Sequence, residues 1–431
     1  MKKTSVFLLI LQLFAVFSGL FAVSAKAEEF PKSDKIRSIC VYNIETDTRL
    51  FEQDPDLLLP PASTVKMMTG LIACEKLSKD LEASIVVTKE LLGSFTGKSI
   101  SLKAGETLKI KDLLYAAICG GANDAANVLA GFLAVDNDHA EFVKDMNRRA
   151  EEYGMTNTRY ANAYGFSDPD MYTTANDVVK LAAEASKNEL FMKICTAVSY
   201  IIPETELRGK RYIFNSNYLI TGSSPVNYRN GEAVGMSAGE TTDGGTVLVT
   251  MTSGNGINNI FVLLGGTYDE EHNYIYETAN SLLKWTAESF EYKRISDRSK
   301  TVREIGVDLS SGSDYVIITP ERTVEYYLPK EVDLQKDVVY DIKIDSERVD
   351  APVEAGQKLG EMTVIYNGKV LTKVDLVAKS SVDRNGFLYV MARIKSWTRS
   401  DGFKKVLLGV IGLIVLYIAV SVIARFRKKA R

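Results

Sequence analysis

The chain of 431 residues is 46% hydrophobic and 25% charged, the balance of a globular protein with a buried core rather than of a disordered or fibrous one. Its length calls for two domains. The overall charge of −3 hides an imbalance: once the lysines and arginines at both ends are set aside, residues 28 to 403 carry about −13, which argues against nucleic acid as a partner and against a polybasic surface that hugs a membrane.

In chain order, Met1 to Ala27 begins with Lys2 and Lys3, runs through VFLLILQLFAVFSGLFAV and ends on Ala25-Lys26-Ala27. This is the layout of a secretory signal peptide with a small-residue cleavage site, so the mature chain is expected to start at Glu28. SICVYNIETDTRLFEQD alternates across Glu-Thr-Asp-Thr and predicts a hairpin, which Pro60-Pro61 ends. Apolar spacing from Ala62 to Leu77 then predicts a helix opening near Ser63. Further helices are expected over 109–119, 123–134, 139–153 and 174–187. VGMSAGETTDGGT, residues 234 to 246, reads as a turn between two strands that carries the small triplet Ser237-Ala238-Gly239. GTVLVTMTS and NIFVLLGGT are strands, and 270–290 is a long amphipathic helix.

From about residue 300 the pattern changes to short β runs broken by turns: YVIITP, VEYYLP, VVYDIKI, KLGEMTVIYNG and KVLTKVDLVA. After a linker, VLLGVIGLIVLYIAVSVIA (Val406 to Ala424) holds no charge. About 19 residues at about 1.5 Å each give about 28 Å, the thickness of a bilayer core. The larger basic cluster, Arg425, Arg427, Lys428, Lys429 and Arg431, lies beyond it, which places the C-terminus in the cytoplasm and the rest of the chain outside. The expected organisation is a signal peptide over 1–27, an α/β (α+β) domain over 28–292, a small all-β domain over 293–392, a linker over 393–405, a transmembrane helix over 406–424 and a basic tail over 425–431.

Cys40, Cys74, Cys119 and Cys195 are widely spaced in apolar surroundings, with neither a C-x-x-C nor a metal-ligand spacing, and buried free thiols are the favoured reading. No metal or cofactor is expected. The two histidines, His139 and His272, sit in charged stretches, so any nucleophile must find another base. PPASTVKMMTG offers one. Ser63 and Lys66 are three apart at a helix start and share a face. A serine hydroxyl needs a base to take its proton, and a lysine kept neutral by burial can be that base. The helix N-terminus adds a positive potential beside Ser63. On spacing alone, Ser63 as an N-cap and Lys66 as a solvated lysine is the competing account.

The S-x-x-K motif, its export signal and the late β-turn together resemble the serine acyltransferases. More closely, the chain is similar to a low-molecular-mass penicillin-binding protein of the serine-type D-alanyl-D-alanine carboxypeptidase family, from residue 34 to the tail. PASTVKMMT matches the nucleophile segment, and GKSISLKAGETLKIKDLLYAAICGGANDAANVLA matches the approach to the second motif. NAYGFSDPDMYTTANDVVKLA resembles N-x-x-G-x-x-D…T-T-A-x-D, with Tyr164 where a histidine is usual, and APVEAGQKLGEMTVIYNGKVLTKVDLVA resembles the small β domain that follows. The resemblance implies a sheet packed with helices and removal of the terminal D-alanine from peptidoglycan pentapeptide stems through an acyl-serine. It also implies β-lactams as inhibitors and a membrane tether through the C-terminal helix. Ser63 would be the nucleophile and Lys66 its base. The oxyanion hole would combine the Ser63 N–H with one from the strand of the third motif.

Two motifs depart from the family pattern. The second, S-x-N, falls on Gly121-Ala122-Asn123. Asn123 is kept as a catalytic candidate, although Asn-Asp before AANVLA also makes a good helix start. Gly121 has no relay hydroxyl and can equally be a break between helices; Cys119, in the apolar run YAAIC, reads as core rather than as its substitute. The third motif puts Ser237 where a lysine belongs and Ala238 where a hydroxyl belongs, with Gly239 and Thr241 retained. Gly121, Ser237 and Gly239 are thus the substrate-side candidates, and Arg229 is a conceivable stand-in cation. Two functions follow: a serine D-Ala-D-Ala carboxypeptidase, weakened or not, or a membrane-anchored pseudoenzyme that binds cell-wall peptide or a partner. A β-lactamase fits less well, because the appended β domain and tail belong to the carboxypeptidase branch.

Overall fold

The computed structural model describes residues 30–222, 226–252 and 257–429; the signal peptide read over 1–27 lies outside them. Two compact units divide at Glu291 and Tyr292.

The first unit is built on a five-stranded antiparallel sheet. Its strands are β1 (Ile36–Asn43), β2 (Thr48–Gln53), β3 (Ala233–Thr241), β4 (Gly245–Thr252) and β5 (Asn259–Gly266), in the order β2-β1-β5-β4-β3. Strand alternation sends side chains to two cores. Cys40, Val247, Val249, Val262 and Leu264 join one cluster, which holds the helices α1 (Val65–Leu77), α2 (Asn123–Leu133) and α3 (Ala175–Ser186). Ile39, Val41, Leu248, Phe261 and Leu263 join the other, under α4 (Tyr274–Ser289). The sheet is therefore covered on both faces, and its strands read as near-continuous apolar runs.

Several sequence expectations meet the structure closely. The predicted helices are found at Ile110–Cys119, Asn123–Leu133, His139–Glu152 and Ala175–Ser186. The segment Tyr115–Cys119 widens into π turns, with Gly120 N–H bonded to Tyr115 O at 3.0 Å; the widening delivers Gly120-Gly121 to the end of α2. The late helix starts at Tyr274 rather than 270. Two readings change. The triplet Ser237-Ala238-Gly239 is not in a turn but inside β3, and the reversal comes later, between Thr241 and Gly245. α1 is not amphipathic: all of Val65 to Cys74 is buried, Lys66 included, as suits a helix at the centre of a domain.

In the second unit β6 (Arg303–Asp308), β7 (Tyr315–Pro320), β8 (Val338–Ile344), β9 (Arg348–Asp350), β10 (Lys358–Tyr366) and β11 (Lys369–Ala378) form one sheet in the order β8-β10-β11-β7-β6-β9. Ile305, Val307, Ile318, Val364, Val374 and Leu376 lie in its core. The end of the range read as β domain and the stretch read as a linker, 393–405, are largely helical. α5 (Gly386–Arg399) is capped by the Asn385 side chain, which accepts from Phe387 N–H and Leu388 N–H, and it leaves Phe387, Met391 and Trp397 exposed. The next helix, α6 (Asp401–Lys429), is long and apolar enough to cross a membrane, with a mean hydropathy of 3.0 over its most apolar 18-residue window within Asp401–Ile423.

Candidate active site

A cleft of about 880 Å³ opens beside the edge strand β3. Ser63, Lys66, Gly121, Asn123 and Gly239 all line it, with Lys98, Ser216 and Ala238. Neither histidine and no Arg229 side chain is among its lining residues. Ser237 lies just beneath, around a small void it shares with Lys66, Gly121 and Ser216.

The nucleophile candidate is delivered by a strained turn. Ser63 sits in the single helical turn Ala62–Thr64 that precedes α1, and Ala62 has φ +46°, the left-handed region that non-glycine residues seldom occupy. The surroundings hold it there. Leu59 and Thr173 exchange backbone hydrogen bonds of 2.9 and 2.8 Å. Gly165, at φ +82°, packs so closely that a Cβ would lie 1.9 Å from Ala62 O. The Asn162 carboxamide fixes this loop by accepting from Tyr164 N–H and Gly165 N–H and donating to Phe166 O. The N-x-x-G spacing is thus a local clamp. Thr174 caps α3 by accepting from Asp177 N–H, and Asp177 in turn accepts from Asn157 N–H and the Thr158 hydroxyl.

Lys66 is buried, 6% exposed, where it lines the cleft. Its Nζ donates to Asn123 Oδ1 at 2.9 Å and to the backbone oxygen of Tyr164 at 2.7 Å. Among the described residues it has no carboxylate partner. Burial, with the nearby Lys98 charge as the smaller cause, pushes its pKa down to about 7. A neutral amine has two N–H groups and one lone pair, so two carbonyl acceptors satisfy it completely. The lone pair of the neutral amine is left free to take a proton.

Asn123 is not the cap of α2, which is Ala122. Its Nδ2 donates to Thr96 O at 2.6 Å, and its N–H donates to Lys98 O at 2.7 Å. Asp124 accepts from Ile100 N–H and Leu102 N–H, and Asn127 donates to Leu92 O. Three polar side chains thereby staple the loop 92–102 to the start of α2 and hold Asn123 against Lys66. Cys119 is a buried free thiol with its pKa pushed up to about 12 by burial, which fits core and not a relay.

β3 forms the opposing wall. The Ser237 hydroxyl donates to Ser63 O at 2.9 Å, so it ties the strand to the nucleophile turn. Ala238 is buried in the core under α4. Gly239 comes so near that a Cβ on it would lie 1.9 Å from Ser63 Oγ. Among the cleft residues that went unmarked in the sequence are Lys98 and Ser216; neither belongs to a recognisable spacing. Lys98 keeps part of its length exposed, while desolvation, the larger cause, lowers the pKa of its ammonium. Thr246 Oγ1 and Asn273 Oδ1, also on the cleft, are buried without a hydrogen-bond partner among the described residues.

A buried lysine one turn from a serine and beside an open strand edge, in a chain that also carries a small β domain, defines a serine acyltransferase of the S-x-x-K type. The chain belongs to the D-alanyl-D-alanine carboxypeptidase family, whose profile matches residues 25–267; a second profile, for the C-terminal domain of penicillin-binding protein 5, matches residues 290–384. It is 27% identical to D-alanyl-D-alanine carboxypeptidase DacF of Bacillus subtilis, over 88% of this chain and 95% of that protein. It is 25% identical to DacC of Escherichia coli, over 89% and 95%. The crystal structure of DacD from Francisella tularensis has a similar fold, with a TM-score of 0.63 at 18% identity, covering 85% of this chain and 98% of that one.

Replacing Gly239 with alanine puts a methyl group into the space of the nucleophile. Gly239→Ala is expected to lower the rate of Ser63 acylation at least about a hundredfold, the cost of a misplacement of about 1 Å, while far-UV circular dichroism stays unchanged.

Proposed function

We propose that this protein is a serine-type D-Ala-D-Ala carboxypeptidase that cleaves the terminal peptide bond of peptidoglycan stem peptides through an acyl-Ser63 intermediate. The observation that carries this reading is the buried Lys66 amine, doubly held by Asn123 and Tyr164, with a pKa pushed down to about 7 one turn from Ser63. The names of DacF and DacC, two D-alanyl-D-alanine carboxypeptidases matched over 95% of their length, support the substrate class.

In this reading the Ser63 oxygen attacks the carbonyl carbon of the penultimate D-alanine as Lys66 takes its proton. The backbone N–H of Ser63 and one from β3 receive the oxyanion. β3 is an edge strand, so its unpaired backbone on the Ser63 side can take the stem peptide as an added strand. Water then hydrolyses the ester with Lys66 again as base. A β-lactam acylates Ser63 by the same attack and acts as an inhibitor. α6 tethers the protein to the membrane, with the catalytic unit outside and the basic tail in the cytoplasm.

The altered third motif bears on affinity more than on chemistry. Without a lysine at 237 the substrate's terminal carboxylate forfeits a charge-assisted hydrogen bond, about 1.5–3 kcal/mol or up to about a hundredfold in binding. Lys98, on the wall made by the stapled loop, is the cation that remains in the cleft.

Labelled penicillin added to the detergent-solubilised chain should attach covalently, and Ser63→Ala should abolish the attachment. Absence of labelling of the wild type at saturating drug would contradict the reading. Lys66 is the base only when neutral, so the acylation rate should rise with pH through about 7 and level off above it. Lys98→Met should raise KM for a D-Ala-D-Ala peptide about tenfold or more. It should also move that pH midpoint upward, because the repulsion that helps to depress Lys66 is removed. A midpoint that stays in place would show that Lys98 does not face the amine.

A further inference from the structure

Proton transfer in this site has a gap. Attack by Ser63 leaves its proton on Lys66, yet the C–N bond can break only as the leaving nitrogen gains a proton. The two N–H groups of neutral Lys66 point at Asn123 Oδ1 and Tyr164 O, and position 121, next to the amine, has no side chain. Gly121 has φ +70°, and a Cβ built on it would stand 3.6 Å from Ser216 Oγ and 3.9 Å from Lys66 Cε. The space left empty by the missing side chain is thus bounded on one side by a hydroxyl and on the other by the end of the lysine. Ser216 lines both the cleft and the small void that it shares with Lys66 and Gly121.

Its placement is fixed by backbone and neighbours rather than by its own hydroxyl. Ser216 N–H donates to Cys119 O at 2.9 Å. Asn215 Nδ2 donates to Cys195 O and Ala197 O, both at 2.8 Å, and Asn217 N–H donates to Asn215 Oδ1. The side chain itself is half-buried and, among the described residues, makes no hydrogen bond. A pinned backbone that holds up a free hydroxyl at the mouth of a reaction cleft is the arrangement of a preorganised donor and acceptor.

We infer that Ser216 is the proton-relay hydroxyl of this enzyme, supplied from the bend after residues 211–214 in place of a serine at 121. In the step, the bond from Ser63 Oγ to the acyl carbon has formed, the carbonyl oxygen is the oxyanion of a tetrahedral intermediate whose collapse to the ester expels the nitrogen, and Lys66 holds the proton. Ser216 Oγ accepts that proton from Nζ and gives its own to the leaving amine nitrogen as the C–N bond breaks. Lys66 returns to the neutral amine, Ser216 to the hydroxyl, and the amine departs uncharged. The inference rests on the acyl-serine reading above.

The test uses the full chain in detergent and two acyl donors, a labelled penicillin, whose leaving nitrogen needs a proton, and an acyl-D-alanyl thioester, whose leaving thiolate needs none. Ser216→Ala should slow penicillin acylation about a hundredfold, at the low end for loss of a general acid, and thioester acylation less than about threefold. The pH midpoint and the melting temperature should not move. Ser216→Thr, which keeps the hydroxyl, should restore most of the penicillin rate. Equal losses with both donors, no loss with either, or a threonine variant as slow as the alanine one would each overturn the relay. If Ser63→Ala still abolishes labelling in that case, the proposed function stands without it; a wild type that labels with neither donor removes both.

Discussion

Lys66 donates its hydrogen bonds to two oxygens that come from distant parts of the chain, the Asn123 carboxamide at the start of α2 and the Tyr164 backbone on the loop before α3. Shutting an amine away from water is costly for its charged form, so the rest of the unit is arranged to make the neutral form acceptable. Both acceptors must be held still, and the structure shows how. Asn123, Asp124 and Asn127 pin the loop 92–102, while Asn162 and Gly165 lock the Tyr164 segment against Ala62. Loss of any of these fastenings would let water or a third acceptor reach Nζ and raise its pKa toward that of an ordinary lysine.

A second constraint is the closeness of β3 to the nucleophile. The Ser237 hydroxyl bonded to Ser63 O draws the strand in, and Gly239 is the residue that allows the approach. A lysine at 237 would carry its charge into the cleft; the serine found there instead spends its donor on the backbone. Ser237 thereby makes an internal contact that keeps the wall closed. Ala238 is absorbed into the core under α4. In the proposed function the substrate carboxylate must then find its cation elsewhere in the cleft.

How much of this could be read from the sequence follows from how local each feature is. Ser63 and Lys66 are one turn apart, and helix periodicity suffices to pair them. The apolar runs of β1, β4 and β5 and the helices around the core announce themselves by period. The small residues of β3 carry little strand signal, and a stretch that ends in Thr-Asp-Gly-Gly looks like a turn. Only the sheet decides that the triplet is paired with Val247, Leu248 and Val249. The acceptor from Tyr164 is a backbone oxygen, to which the side chain, and so the sequence, gives no pointer. Lys98 and Ser216 reach the cleft through tertiary folding alone. Asn123 could be read as either cap or ligand, and its separation from Lys66 by more than fifty positions left the choice to the fold. The helical form of 386–399 was missed because the segment is short, mixed in polarity and adjacent to a far stronger apolar signal.

Everything proposed for the chemistry depends on the protonation state of one side chain. The most direct measurement is NMR of the full chain carrying 15N-labelled lysine, with Lys66 assigned from the Lys66→Arg variant, followed across pH. A Lys66 amine that titrates near pH 7 is the predicted result. Titration near 10.5, the value of an ordinary lysine, would contradict the account, because Ser63 would then have no base at the pH where the protein works.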